Sequence, residues 1–410
     1  MQPPTIRIVR IITRLNIGGP TIQAAVLSTQ LDPRRFSTCL VVGASEAGEG
    51  DAGEAVQRQG ARIIRLASLR RAIHPWADVV TLGRLLRLLW RERPQIIHTH
   101  MAKAGTLGRL AAWLYNTCGP GRAPGARAVV IHTFHGHVLD GYFAPWMARI
   151  FLAIERWMGR HTDCLVAVSR TIRDALLAKG IGRAGQWRVV PLGLDLSALA
   201  QLAPPPSMSG GASTVRYGLT GRLVPIKNPG LFLEALAQTI REQPTNRITG
   251  LVVGDGPLRG ELEAQARRLG LSNAVQFTGW RHDLPDVYAG VDVACLTSWN
   301  EGTPVALIEA MAAARPVVAT AVGGVGDLLE EAGQAPAPIA PGAFRRTDRG
   351  LLVNPGDAGG FAAALQAVAA DGELCRELGR AGRAFVLERF TQHRLVRDIT
   401  TLYEALLKRR

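Results

Sequence analysis

Short apolar runs alternate with amphipathic stretches along the whole chain. In the first half the runs are IRIVRII, STCLVV, ARIIRL, QIIHTH, AVVIHTF, DCLVAVS and WRVVPLG; in the second they are VRYGLTG, ITGLVVGDG, AVQFTG, VDVACLTS, RPVVAT and GLLV. Each has strand length and carries little polar alternation, as expected of parallel strands covered on both faces. Between them lie patterns of helical period such as DVVTLGRLLRLLWRER, AGTLGRLAAWLYN and PGLFLEALAQTIREQ. Strand–helix alternation of this kind predicts an α/β protein with doubly wound parallel sheets.

The stretch LSALAQLAPPPSMSGGAST, residues 196–214, breaks the rhythm with Pro, Ser and Gly and predicts a linker. It separates a first α/β domain, residues 1–195, from a second, residues 215–387. A Pro/Ala-rich stretch at 331–350 predicts an insertion loop in the second domain. In such folds ligands gather on loops at the carboxyl ends of the strands, and four such loops carry candidate chemistry.

After the opening strand, Gly18-Gly19-Pro20 leads into a helix, where free backbone amides suit a phosphate. A tight strand-to-helix turn needs glycine in any case. After AVVI come His132, His135 and His137. Their spacing alone suggests a metal, but no carboxylate or cysteine completes a set. His135, beside Gly136, is the better placed to hydrogen-bond a polar substrate. In LTGRLVPIKNP, Arg222 and Lys227 flank a loop before a helix opening at Pro229, an arrangement that suits a diphosphate. Two solvated cations are the plainer reading, and the strand-end position favours function.

The fourth loop, SWNEGTPVALIEAM, places Thr303 as helix cap, Pro304 as first helical residue, Glu301 just outside the helix and Glu309 on its second turn. Carboxylates repel phosphate, so both suit hydroxyls, with phosphate between them at the helix start. Hydroxyls at both ends and phosphate in the middle describe a nucleotide-sugar.

Charge adds a partner. The net charge is +15, and residues 1–200 hold 26 Lys/Arg against 12 Asp/Glu while the rest hold 22 against 21. Six of the eight tryptophans also lie in the first half. A basic, Trp-bearing half suits a large anionic surface. Five scattered cysteines without a CxxC pair argue against a disulfide framework or structural zinc and fit a reducing cytoplasm. The amino terminus lacks the h-region of a signal peptide, and no apolar run approaches the roughly 20 residues of a membrane span. The expected location is cytoplasmic, with peripheral contact to the inner face of an anionic membrane.

The pair Glu301/Glu309 in SWNEGTPVALIEAM, with GRLVPIKNP, VVGDGP, FTGWRHDLPDVY and NPGD in order, resembles the family-4 retaining glycosyltransferases across essentially the whole chain. NIGGP and FHGH match the family's loops, and HMAKAGTLGRLAA is similar to bacterial members acting on surface polysaccharide or lipid-linked glycans. The resemblance implies a GT-B fold: two Rossmann-like domains with an interdomain cleft, acceptor side first and donor side second. It implies a last helix, about 388–410, returning to the first domain. By position, Arg222 and Lys227 would hold the diphosphate, and Glu301 the donor-sugar hydroxyls. Gly302, Thr303 and Pro304 would lie near sugar and phosphate, and Glu309 would bind the ribose. Gly18 and Gly19 would approach the phosphate, His135 the sugar, Gly254, Asp255 and Gly256 the nucleotide, and Arg281 the base. Asp327 stands where the family often has Glu.

The implied reaction moves a hexosyl or N-acetylhexosaminyl unit from a UDP- or GDP-sugar to a glycan or polyprenyl-diphosphate-linked acceptor. It proceeds by same-face displacement, with no cofactor and no metal. Three rivals share parts of the pattern. A non-hydrolysing sugar-nucleotide epimerase shares the two-domain form, against the context of the glutamate pair. A nucleic-acid-binding protein shares only the charge and lacks a recognition motif. A dinucleotide oxidoreductase would need GxGxxG after the first strand. Nucleic acid is therefore not expected as a partner.

Overall fold

A computed structural model describes residues 5–16, 18–45, 51–136, 145–205, 214–244, 247–331 and 337–409. The chain forms two compact units, Met1–Leu194 with Gln392–Arg410, and Asp195–Thr391.

The first unit is built on β1 (Ile6–Ile12), β2 (Phe36–Val42), β3 (Arg62–Arg65), β4 (Ile96–His100), β5 (Val129–Phe134), β6 (Cys164–Ala167) and β7 (Trp187–Val189). Their order is β3-β2-β1-β4-β5-β6-β7, with every pairing parallel. The strand direction in which the order is wound reverses between β1 and β4, the crevice where doubly wound sheets bind ligands. Alternate β1 residues serve opposite faces. Val9 and Ile11 pack with Leu85, Leu89, Ala111 and Tyr115 of the helices Pro75–Glu92 and Ala102–Cys118. Ile8 packs on the other face with Leu27, Leu395, Ile399 and Tyr403. The last three belong to the carboxy-terminal helix Gln392–Lys408, whose Arg394 also bonds the carbonyl of Pro191 at 2.9 Å.

The second unit repeats the plan with β8 (Thr214–Thr220), β9 (Arg247–Val253), β10 (Val275–Gly279), β11 (Val293–Leu296), β12 (Val317–Thr320), β13 (Phe344–Arg346) and β14 (Leu351–Val353). The order is β10-β9-β8-β11-β12-β14-β13, and only β13 runs antiparallel. The crevice here lies between β8 and β11. One continuous core includes Tyr217, Phe232, Leu236, Cys295, Phe361, Leu365 and Leu378. Tyr217 is satisfied within it, donating to the carbonyl of Leu365 at 2.9 Å.

Two expectations need correction. Residues 344–346 form β13, inside the stretch read as an insertion loop. Three residues in a Pro/Ala-rich context give no periodicity, and this edge strand is defined by its partner Leu351–Val353. The stretch read as linker begins with a docked element. Ser197–Ala200 is a short helix with Leu199 buried, and the carbonyls of Leu202 and Ala203 accept from Arg383 and Arg315 at 2.5 and 3.0 Å. The Pro/Ser/Gly residues 206–213 lie outside the described residues.

Candidate active site

In the second unit the loops that leave β8 and β11 are tied together. Trp299 N–H donates to the carbonyl of Ile226 at 2.9 Å, and Thr297 Oγ1 to that of Lys227 at 3.1 Å. β12 joins them, its Thr320 Oγ1 donating to the carbonyl of Ser298 at 2.7 Å. On this frame Lys227 Nζ lies 2.5 Å from Glu301 Oε1, which also accepts from Ser298 Oγ at 2.6 Å. The Glu301 side chain is only 7% exposed and that of Lys227 28%. The sequence assigns these two residues to different parts of a ligand, and the fold brings them into contact across 74 positions. Since Lys227 answers the charge of Glu301, the uncompensated cation of the pair is Arg222. It is half-buried, and its side chain meets no ion pair or hydrogen bond among the described residues.

The position of Arg222 is set by a neighbouring turn. Leu223 N–H donates to the carbonyl of Asp255 and Leu258 N–H to that of Leu223. Gly254 has φ +132°, and a Cβ there would sit 1.9 Å from the carbonyl oxygen of Gly221. A Cβ on Gly256 would meet the Leu223 carbonyl at 2.4 Å. Close packing against the Arg222 loop therefore accounts for both glycines. Asp255 is engaged locally, accepting from Gly256 N–H at 2.7 Å and pairing with Arg259 at 2.9 Å, and its carboxyl is held low by the Gly256 N–H first and Arg259 next. Arg281 follows β10, at the far end of the sheet from β11, and pairs with Asp283 two residues on. Among the described residues neither Asp255 nor Arg281 has a hydrogen bond or ion pair with Lys227, Glu301 or Glu309.

Beyond Glu301, the helix after β11 is Val305–Ala312, capped at Pro304 without a side-chain hydrogen bond. Thr303 is thus one residue too early to be the cap, because Pro304 is still extended at ψ 102°. The Thr303 hydroxyl is buried with no hydrogen-bond partner among the described residues. Gly302 and Thr303 do precede the helix, and Glu309 stands on its second turn. The hydroxyl of Tyr288 is 3.0 Å from both Glu309 Oε2 and the Ala306 carbonyl. Desolvation pushes the Glu309 carboxyl up to about 7, partly opposed by Tyr288. The turn after β12 closes over Glu301: Gly324 N–H donates to its carbonyl at 3.2 Å. Gly323, at φ +48°, would place a Cβ 1.9 Å from that same oxygen.

In the first unit Gly18 caps the helix Gly19–Thr29, its carbonyl accepting from Thr21 and Ile22 N–H. His135 follows β5 and is half-buried, with its Nε2 3.2 Å from His100 Nδ1. Burial pushes His135 down to about 3, so it is neutral. His132 points to the other face, bonded to Thr99 Oγ1 at 2.8 Å, and His137 lies outside the described residues. Arg10, His98, His100 and Tyr403 complete a buried polar cluster here that the sequence reading missed. Its one signal was polar residues inside apolar strands, as in QIIHTH. Among the described residues no group of three His, Cys, Asp or Glu could hold a metal ion.

Against known proteins, residues 18–193 match the family described as Glycosyl transferase 4-like domain, and residues 214–371 match Glycosyl transferases group 1. The chain belongs to the family-4 glycosyltransferases. This glycosyltransferase is 27% identical over 274 residues to the UDP-Gal:alpha-D-GlcNAc-diphosphoundecaprenol alpha-1,3-galactosyltransferase of Escherichia coli, spanning 64% of this chain and 67% of that one. It is 27% identical over 327 residues to EpsD of Bacillus subtilis strain 168, spanning 76% and 77%. The structure of Anabaena HepE in complex with UDP superposes with a TM-score of 0.77 over 98% of this chain and 100% of that one, at 20% identity. The glycosyltransferase thus has the GT-B fold. Among its described residues no helix is long and apolar enough to cross a membrane.

Proposed function

We propose that this glycosyltransferase moves a hexosyl or N-acetylhexosaminyl unit from a UDP-sugar to a lipid-linked or polysaccharide acceptor, with retention at the transferred carbon. The observation that carries the reading is the set of acidic and basic groups at the β8/β11 crevice of the second unit. Arg222 offers a diphosphate a guanidinium with no partner among the described residues, and Lys227 follows five residues later on the same loop. Glu301 and Glu309 accept hydrogen bonds from hydroxyls of sugar and ribose. As the bond to the diphosphate breaks, charge grows on the leaving oxygen, and pre-placed donors at that oxygen lower the barrier. Same-face attack needs no side-chain nucleophile; the departing phosphate oxygen takes the acceptor's proton. No metal or cofactor enters this scheme.

The choice of UDP draws on the galactosyltransferase, whose name specifies a UDP-Gal donor and a diphosphoundecaprenol acceptor, and on HepE, crystallised with UDP and with UDP-glucose. For the acceptor side, the helix Pro145–Arg160 in the first unit exposes Trp146, Ile150 and Trp157, and the helix Pro75–Glu92 exposes Trp76, Val79 and Trp90. Aromatic side chains among arginines suit the headgroup layer of an anionic membrane.

The test is transfer from a panel of UDP- and GDP-sugars to a polyprenyl-diphosphate-linked sugar, with the product's anomeric configuration read by NMR. An α-linked product from an α-linked UDP-sugar is expected. An inverted product, or epimerised donor without transfer, would overturn the proposal.

A further inference from the structure

Arg10 sits in the middle of β1, fully buried, and meets no carboxylate among the described residues. Neutral acceptors hold it instead. Nη1 is 3.1 Å from His98 Nδ1 and 3.2 Å from His100 Nε2. Nη2 is 3.2 Å from the carbonyl of Leu27 and 3.1 Å from the hydroxyl of Tyr403. Four terminal N–H groups thus find four acceptors, and only Nε–H is left over.

This arrangement has a consequence for proton positions. A guanidinium donates and has no lone pair to offer. Both ring nitrogens that face it must therefore be acceptors. His98, with Nδ1 also 2.6 Å from the Tyr403 hydroxyl, keeps its proton on Nε2 and donates to Thr133 Oγ1 at 2.7 Å. His100, with Nε2 accepting, carries its proton on Nδ1, and that N–H faces His135 Nε2 at 3.2 Å. The His135 nitrogen must then accept, so the proton of His135 lies on Nδ1. Nδ1 is buried and has no hydrogen-bond partner among the described residues. The opposite tautomer would set two N–H groups against each other at 3.2 Å. A second proton on any of these rings is opposed by desolvation first, and for His98 and His100 also by Arg10 and the neighbouring histidines.

We propose that Arg10 and His100 are positioning residues that lock His135 in its Nδ1–H tautomer, so that it meets the substrate as a hydrogen-bond donor to an oxygen and not as a base. That His135 meets a sugar substrate rests on the function proposed above; the lock itself does not. Tyr403 gives the carboxy-terminal helix a part in the lock, since its hydroxyl accepts from Arg10 and donates to His98.

The test is a long-range 1H–15N correlation on the full chain labelled with 15N-histidine, the His135 signals being those lost in His135→Gln. Protonated Nδ1 and bare Nε2 are expected in the wild type, with no substrate present. A His135 found as the Nε2–H tautomer or as imidazolium at neutral pH overturns the lock. Variants add a kinetic reading. In His100→Leu the donor to His135 is gone, so the tautomer becomes mixed and kcat falls roughly tenfold while the donor KM holds within about twofold. In His100→Gln the amide can accept from Arg10 and donate to His135, and most of both signals returns. Equal loss in the two variants, with His135 unshifted in each, assigns His100 a packing role and overturns the proposal. A locked Nδ1–H His135 in a chain that transfers no sugar refutes the proposed function and leaves the lock standing. Transfer by an enzyme with Nε2–H at His135 does the reverse.

Discussion

Replacing Lys227 by Met isolates the Lys227–Glu301 pair. At 2.5 Å the two charges attract with about 7 kcal/mol at an effective dielectric of about 20. Desolvating both groups offsets most of this, and the net loss comes from what is left behind. Without Lys227 the 7%-exposed Glu301 carboxylate keeps only the Ser298 hydroxyl. Stranding a buried charge costs about 3–5 kcal/mol. Because Lys227 is 28% exposed, water can partly take its place, and about 2 kcal/mol is the expected figure. For a unit of about 200 residues that lowers the melting temperature by about 4–8 °C. Glu301→Gln added to Lys227→Met removes the stranded charge, and the double variant should recover to within about 1 kcal/mol of wild type. Turnover should not recover: the single and double variants should all lose about a hundredfold or more, since each lacks a group for the sugar or its leaving diphosphate. Paired thermal unfolding and initial-rate measurements complete the cycle. A Lys227→Met chain that melts with wild type, or a double variant no more stable than the single, would refute the pairing. Near-normal turnover in Lys227→Met would refute its role at the diphosphate.

Glu309 gives a pH signature: with its folded-state value raised to about 7 from an unfolded value of about 4.3, its contribution to stability is present below about pH 4 and is lost as pH rises through 7, on the order of 3–4 kcal/mol. Glu309→Gln should flatten that part of the stability–pH curve, read by denaturant unfolding across the range, and an unchanged slope would contradict the burial of this carboxyl. Gly323→Ala should destabilise by about 1 kcal/mol or more from its φ of +48° alone and shift the Glu301 backbone, cutting turnover at least tenfold; a fully active variant would show that the turn does not set Glu301. Flotation with anionic vesicles should carry the full chain at low salt and release it at high salt, and Trp146→Ser/Trp157→Ser should weaken it, whereas no flotation at any salt would remove the membrane surface from the account.

The sheets were legible because parallel strands covered by helices leave short apolar-rich runs, and thirteen of the fourteen strands fall in such runs, although the edge strands β3 and β10 are only partly buried. β13 does not, being a three-residue edge held by β14. The strand-end loops were legible through Gly, Pro and charged residues: Arg222 and Lys227 follow β8, Glu301 and Glu309 follow β11, and Lys227 meets Glu301. What stayed hidden depends on distance in sequence. Nothing near Lys227 announces a contact with Glu301, and nothing near Arg10 announces Tyr403, 393 positions later. Local propensity also misplaced the cap: Thr303-Pro304 reads as cap and first turn, but the chain is still extended at Pro304. Gly254 and Gly256 read as ligand-facing and are equally required by the backbone of Gly221 and Leu223.

Isothermal titration of UDP into the full chain and into Arg222→Ala tests the central claim most directly, because Arg222 is a half-buried cation on the loop after β8 that no other side chain among the described residues answers. The account predicts saturable binding to the wild type and at least a tenfold weaker Kd for the variant, with its melting temperature unchanged. Equal affinity in the two proteins would contradict the placement of the diphosphate at β8/β11, and with it the reading of the whole site.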